Sequence, residues 1–426
     1  MSNYKNYLVF SLSILLFANF LYGQSLINAY GIGNKIEMFD AASTGLSSSG
    51  LVPSFRKGIA LQNPSTWQYL NFTYFTGTYS IEEKKILTNT KNGDSRFGNA
   101  QFIVPFKNKY AFGLGIFPYS EQYFEIDGST NNEFIAYGDT LTTSHKFRSN
   151  GGISTFRISL AGSLTNYINA GVSADLLYGS TRQYTVFSIG KLDYYSQKRH
   201  LYSGRIVKLF LNSSLLNKIN FPVNMYFAWG FPLQSVAVET YNYKPFEDSD
   251  NDGVQDNNDF PKLSDAGDAE VIETDNLYSP WSYQFGLNYQ VNDQWNLVGE
   301  YSSWSDKEEN AEDFSILNDQ IVSYNHFNIG IVRFGPNLIK RFTDRLNFRI
   351  GAHSDKLKLL NSTDDIKVYG FSTGISYNFG ATNNQLDFTY AFRKRQGLEK
   401  IGDEIIQNFG IGITVGDIWF VKRRSQ

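Results

Sequence analysis

The C-terminal half of the chain alternates between apolar and polar residues in steps of two, segment after segment. Along 385–393, Leu386, Phe388, Tyr390 and Phe392 fall on one side, and Gln385, Asp387, Thr389, Ala391 and Arg393 on the other. Successive side chains of a strand point to opposite faces of a sheet, so this is a strand with one apolar wall. At 345–353, Leu346, Phe348, Ile350 and Ala352 alternate with Arg345, Asn347, Arg349 and His353. At 369–379, Tyr369, Phe371, Thr373, Ile375, Tyr377 and Phe379 alternate with Gly370, Ser372, Gly374, Ser376 and Asn378. The opposite face is polar and small, which fits a membrane barrel with hydrocarbon outside and a lumen within.

Fourteen such segments are predicted, near 69–82, 96–106, 109–126, 145–163, 167–184, 200–216, 222–240, 281–291, 294–305, 322–334, 344–354, 366–379, 385–395 and 405–416. Most exceed the roughly 9–11 residues that cross a bilayer at a tilt. Short connections (Lys107-Asn108, Leu164-Thr165-Asn166, Asn292-Asp293, 380–384) alternate with long ones (83–95, 127–144, 185–199, 241–280, 306–321, 355–365, 396–404). That asymmetry, short periplasmic turns against long external loops, is the barrel pattern; the turn at 335–343 is long for its side. The expected fold class is therefore all-β: a transmembrane antiparallel barrel of about fourteen strands.

Composition agrees. Aromatics are 16% of the chain, and no apolar run beyond the N-terminus is long enough for a membrane helix. With 38 basic and 41 acidic residues, nothing points to a nucleic-acid partner. The absence of Cys excludes a disulfide scaffold and a thiolate metal site. Lys5, the apolar stretch from Tyr7 to Phe20 and the small residue Gly23 read as a secretory signal peptide over 1–23. The expected location is the outer membrane of a Gram-negative bacterium, with the barrel at 69–426.

Much of the inward set is Gly, Ser and Asn, with charges such as Glu300 and Arg349. A barrel of this size encloses more than such side chains fill. Residues 24–68, rich in Gly and Ser and without strong periodicity, are expected to fold inside it as a plug.

Several motifs carry a family resemblance. Asn63-Pro64-Ser65, just before the first strand, resembles the Asn-Pro-Ala motif that closes the N-terminal hatch in the FadL-like family of outer-membrane transporters, with Ser where the family has Ala. Asp40-Ala41-Ala42-Ser43-Thr44-Gly45 resembles the same hatch, and Phe112-Gly113-Leu114-Gly115-Ile116-Phe117-Pro118 the family's third strand. The chain's end, Gly412 to Trp419-Phe420 followed by Lys422-Arg423-Arg424, is similar to PorV-like relatives. The resemblance implies a hatch and a third strand kinked at Pro118, opening a lateral route to the membrane. It also implies passive uptake of hydrophobic compounds such as long-chain fatty acids or hydrocarbons, and no enzymatic activity. The alternative is a PorV-like scaffold or carrier for protein secretion. Expected partners are a hydrophobic small molecule, outer-membrane lipid, the barrel-assembly machinery and secretion-system subunits.

The loop 241–280 contains Asp248, Asp250, Asp252, Val254, Asp256 and Asp259, with Gly253 at the turn. This is calcium-loop spacing, in which a hard cation gathers several oxygens from one short stretch. It resembles a thrombospondin type 3 repeat, and a structural calcium ion is expected there. Gly370-Phe371-Ser372-Thr373-Gly374 matches a hydrolase nucleophile elbow in letters, but the motif needs a strand–turn–helix context. His326 and His353 read as polar residues of the inner wall.

Overall fold

In the computed structural model the described residues are 25–37, 40–86, 91–106, 109–136, 139–190, 192–243, 271–306, 319–336, 341–362, 364–380, 382, 384–397 and 402–417. The expected signal peptide, the calcium-type residues Asp248, Asp250, Asp252, Val254, Asp256 and Asp259, and the C-terminal Trp419 lie outside them.

Among the described residues there are seventeen strands: β1 (Asn34–Lys35), β2 (Thr73–Ile86), β3 (Lys91–Phe106), β4 (Tyr110–Glu121), β5 (Phe124–Ala136), β6 (Asp139–Ser163), β7 (Ile168–Ile189), β8 (Leu192–Ser213), β9 (Val223–Asn242), β10 (Val271–Tyr278), β11 (Trp281–Gln290), β12 (Trp295–Ser305), β13 (Ile321–Arg333), β14 (Leu346–Leu359), β15 (Asp365–Phe379), β16 (Asn384–Gln396) and β17 (Glu404–Asp417). Fourteen of them form a closed antiparallel barrel. Closure is made by β17 on β2, with Asp417 opposite Thr73 and Glu404 opposite Ile86. Each expected segment overlaps a barrel strand, although 109–126 runs past the end of β4 into β5 and 69–82 begins in a 3₁₀ turn ahead of β2. The three additional strands are β1 in the lumen, β5 paired with β6, and β10 paired with β9.

Three expectations about connections need correction. The segments 83–95, 127–144 and 185–199 are largely antiparallel ladder rather than loop, as in Lys85 opposite Lys91 and Phe187 opposite Tyr194. Polar strand residues there no longer alternate against lipid, so the period-two signal fades although the backbone pairing continues. Strands β6, β7, β8 and β9 reach 25, 22, 22 and 20 residues and so project beyond the membrane.

The alternation sets the two faces as expected. On β16, Gln385, Asp387, Thr389 and Ala391 are buried while Phe388 is exposed. On β9, Phe227 and Trp229 are exposed and Tyr226 and Ala228 buried. Trp304, near the outer end of β12, shares the inner parity of Glu300 and Ser302 and packs edge-on against Tyr278 in the lumen, 5.6 Å between centroids.

Candidate functional site

The N-terminal segment threads the lumen from the loop end to the turn end. Its apolar residues build successive layers with the wall. Ile27 and Ile32 pack among Tyr202, Val236, Tyr278, Trp304, Tyr324 and Leu357 near the outer rim. Leu46, Leu51 and Val52 fill the middle with Phe210, Tyr226, Val298 and Val332. Phe55, Ile59, Leu61, Trp67 and Leu70 close the periplasmic end. Each fully buried Leu or Ile adds about 1.5–3 kcal/mol.

The wall accommodates this thread where it has no side chain. A Cβ on Gly351 would stand 2.2 Å from the Leu46 carbonyl oxygen, and one on Gly171 would stand 2.7 Å from Pro64 Cβ. A Cβ on Gly113 would meet the Trp67 ring at 2.4 Å. The small inward residues that suggested an occupied lumen are thus contact points with its occupant.

Polar groups of the wall then clasp the hatch. Helix α1 (Ala41–Thr44) is capped by Asp40, whose carboxylate accepts from Ser43 N at 2.9 Å and Ser43 Oγ at 2.7 Å. Burial pushes the Asp40 carboxyl pKa above its ordinary value, opposed by those hydrogen bonds. Beyond α1 the chain turns through Ser47 at φ +55°, a left-handed conformation uncommon outside glycine. The turn aims Ser47 at the wall: its hydroxyl lies 2.8 Å from Ser372 Oγ and 3.1 Å from His353 Nδ1, and its carbonyl 3.1 Å from His326 Nε2. Asp355 Oδ1 holds His326 Nδ1 at 2.7 Å. Asn328 Nδ2 donates to Leu46 O at 3.1 Å. Glu300 accepts from Ser48 Oγ at 2.6 Å, from Ser49 N at 3.2 Å and from Ser49 Oγ. Arg349, fully buried, donates from Nε to Ser54 O at 2.6 Å and also reaches Phe55 O, Ser376 and Asp387. Strand β14 alone aims Arg349, Gly351, His353 and Asp355 inward at successive even steps.

Asn63, Pro64 and Ser65 start a 3₁₀ turn, Pro64–Tyr69, at the periplasmic end. Asn63 caps it by accepting from Ser65 N and Oγ at 3.1 and 2.7 Å, and its amide donates to Leu51 O at 2.9 Å. The motif therefore staples the last part of the hatch to its middle.

Pro118 lies on β4 opposite Ser154 of β6, with a register shift between Pro118 and Ser120. The ladder between β3 and β4 ends at Ala100 opposite Ile116, although β3 continues upward to Lys91. Beyond that point β4 turns to the lumen and pairs with the hatch, Glu121 opposite Asn34 and Ser120 opposite Lys35. A seam without backbone pairing thus opens between the outer half of β3 and β4. Side chains cross it: Arg96 of β3 contacts Glu121 at 3.1 Å and Glu82 at 3.3 Å, and Arg393 and Lys84 also contact Glu82.

One internal space of about 70 Å³ lies beside the seam, lined by residues including Pro118, Arg96, Arg393, Arg395 and Asp355. A second of about 50 Å³ is lined by Arg157, Asp175 and Lys208 among others. A larger cavity of about 690 Å³ opens at the turn end beside Arg56, Tyr74, Asp293 and Phe334.

A family model named BamG matches residues 5–426. The chain belongs to the BamG family. No curated protein matches it. Among solved structures, the BamG-family barrel resembles the CymD monoaromatic hydrocarbon channel at 13% identity, over 89% of this chain and 97% of that one, with a TM-score of 0.53. It also resembles a Pseudomonas aeruginosa FadL homologue at 10% identity, over 90% and 99%, with a TM-score of 0.54. A TodX monoaromatic hydrocarbon channel carrying the deltaS2S3 change matches at 12% identity, over 89% and 99%, with a TM-score of 0.52. These likenesses establish a FadL-like outer-membrane channel fold.

In this BamG-family chain, sequence reading singled out Asn63, Pro64, Ser65 and Pro118 but missed most of the clasp. Glu300 and Arg349 were visible only as charges on an inward face. Ser372, dismissed as a nucleophile, is bonded to Ser47 of the hatch. The one available signal was the isolated charge or His among small inward residues, which in a barrel marks a buried polar contact.

Proposed function

We propose that this barrel is a closed outer-membrane scaffold, offering a plugged, rigid cylinder to protein partners of the barrel-assembly or secretion type. The observation that carries the reading is the occupied lumen: the hatch fills all three apolar layers. The internal spaces beside it, about 70 and 50 Å³, have charged walls. An apolar solute binds where it buries against apolar walls, and those walls are already covered by the chain itself. Copurification from the native membrane in mild detergent tests this. The expected result is retention of barrel-assembly or secretion subunits. A solitary barrel with lipid extractable from its lumen would count against it.

A second reading, uptake of hydrophobic compounds such as long-chain fatty acids or hydrocarbons, draws support from the seam at Pro118 and from the cargo named for the structurally similar channels. In that reading the ligand displaces Ile27 and Ile32 from the outer lumen and leaves between β3 and β4. Loss of uptake in Pro118→Ala, with folding intact, supports uptake; unchanged uptake opposes it.

A further inference from the structure

The clasp on Ser47 needs one more proton than neutral histidines supply. Asp355 Oδ1 lies 2.7 Å from His326 Nδ1, and the Ser47 carbonyl oxygen lies 3.1 Å from His326 Nε2. A carbonyl oxygen accepts and does not donate, and the same is true of an ionised carboxylate. A neutral imidazole carries one N–H. It can fill one of these acceptors, and its remaining lone pair then points at the other. Both bonds are made only when the ring holds two protons. His353 makes no such demand. Its Nδ1 faces the Ser47 hydroxyl at 3.1 Å, which can donate, and its Nε2 has no hydrogen-bond partner among the described residues. The two rings stand 5.7 Å apart between centroids, where two positive charges would repel.

The groups around His326 suit a single positive charge there. On its own strand, Tyr324 stacks on it at 6.2 Å between centroids. From β14 it faces Asp355 and His353. Glu300 of β12 acts on it electrostatically while binding Ser48 and Ser49, and Glu37 of the hatch adds a further carboxylate. Arg393 of β16 acts on Asp355, and a neighbouring cation favours a carboxylate over the carboxylic acid. The space of about 70 Å³ beside the seam touches both Asp355 and Tyr324. At roughly 10–15 Å³ for each water it has room for several, so protons can exchange with the pair while the wall stays folded.

The proton holds a turn that does not hold itself. Ser47 has φ +55°, a conformation that costs a non-glycine residue free energy and persists only where its surroundings impose it. Removing the proton deletes one of the two His326 bonds and leaves two acceptors face to face. Ser47 then loses the support of its carbonyl, and the hatch relaxes at its middle.

We propose that His326, as an imidazolium bridging Asp355 and Ser47, is a proton-operated latch on the hatch, closed at neutral and mildly acidic pH and released in alkali. The clasped state binds the extra proton, so protection of the hatch is present below the titration of the ring and lost above it. The latch is independent of which partner or solute the barrel serves.

The test uses the full-length mature protein in detergent, with its 4 histidines labelled with nitrogen-15. At neutral pH the ring whose signals vanish in His326→Gln should have both nitrogens protonated, and His353 should be neutral. Hydrogen exchange at residues 46–49, corrected for its intrinsic pH dependence, gives the second readout. Protection should fall about 10-fold or more between about pH 6 and about pH 10, the scale of one hydrogen bond to a charged group. His326→Gln should abolish that step, with fast exchange throughout. Glu300→Gln and His353→Gln should keep it, each from a lower starting protection. Heat-dependent gel mobility confirms a folded barrel for each variant. A singly protonated His326 ring at neutral pH would overturn the proposal on the wild-type protein alone. So would protection that is level across the pH range, or a step that survives His326→Gln and disappears in Glu300→Gln.

Discussion

Replacing Gly351 by alanine adds one carbon where the hatch touches the wall. That carbon would stand 2.2 Å from the Leu46 carbonyl oxygen and 2.5 Å from its carbonyl carbon. Both are backbone atoms, so no rotamer change relieves the clash and the hatch must move. Moving it withdraws Leu46, fully buried, for about 1.5–3 kcal/mol. It also strains the bonds from Asn328 Nδ2 to Leu46 O and from His326 to Ser47 O, about 1 kcal/mol each. The expected loss is thus about 3–5 kcal/mol of hatch docking, with the β13–β14–β15 ladder untouched. Limited proteolysis from the periplasmic side should cut the hatch of Gly351→Ala faster than wild type, while heat-dependent gel mobility still reports a folded barrel. Gly299→Ala is the matched control: its Cβ meets nothing nearer than 3.7 Å. Equal cleavage of Gly351→Ala and wild type would refute the view that inward glycines exist for close approach of the hatch.

Further outcomes follow from the same contacts. Arg349→Ala leaves Asp387 buried without its guanidinium and should cost about 3–5 kcal/mol of thermal stability; Lys at this position, unable to fork onto Ser54 O and Phe55 O, should not restore it in a melting experiment. Glu300→Ala removes the acceptor for Ser48 and Ser49 and should increase hydrogen exchange at residues 46–52 while sparing 63–70. Calcium binding by the loop carrying Asp248, Asp250, Asp252, Val254, Asp256 and Asp259 is a proposal from spacing: titration calorimetry should show binding by the full protein and its loss in Asp252→Asn/Asp259→Asn.

Strand number and inward parity were legible because lipid enforces a strict period of two, as in Phe388 against Asp387 and Thr389. The signal faded outside the bilayer, where Phe187 and Tyr194 pair across a hairpin that reads as loop. The hatch contacts were illegible for a different reason. Which inward residue meets which hatch residue depends on pairings over 250 positions apart, such as Ser48 with Glu300. Short motifs survived where chemistry is local, as in the cap that Asn63 makes on Ser65. The effect of Pro118 required the register, since only the ladder's end at Ala100 and Ile116 reveals the seam.

Ionic conductance of the purified full-length barrel in a planar bilayer bears most directly on the idea that the chain stoppers its own lumen. The account predicts an electrically silent protein that begins to conduct when Gly351→Ala or Glu300→Ala loosens the hatch. Steady, large conductance from the unmodified protein would contradict it.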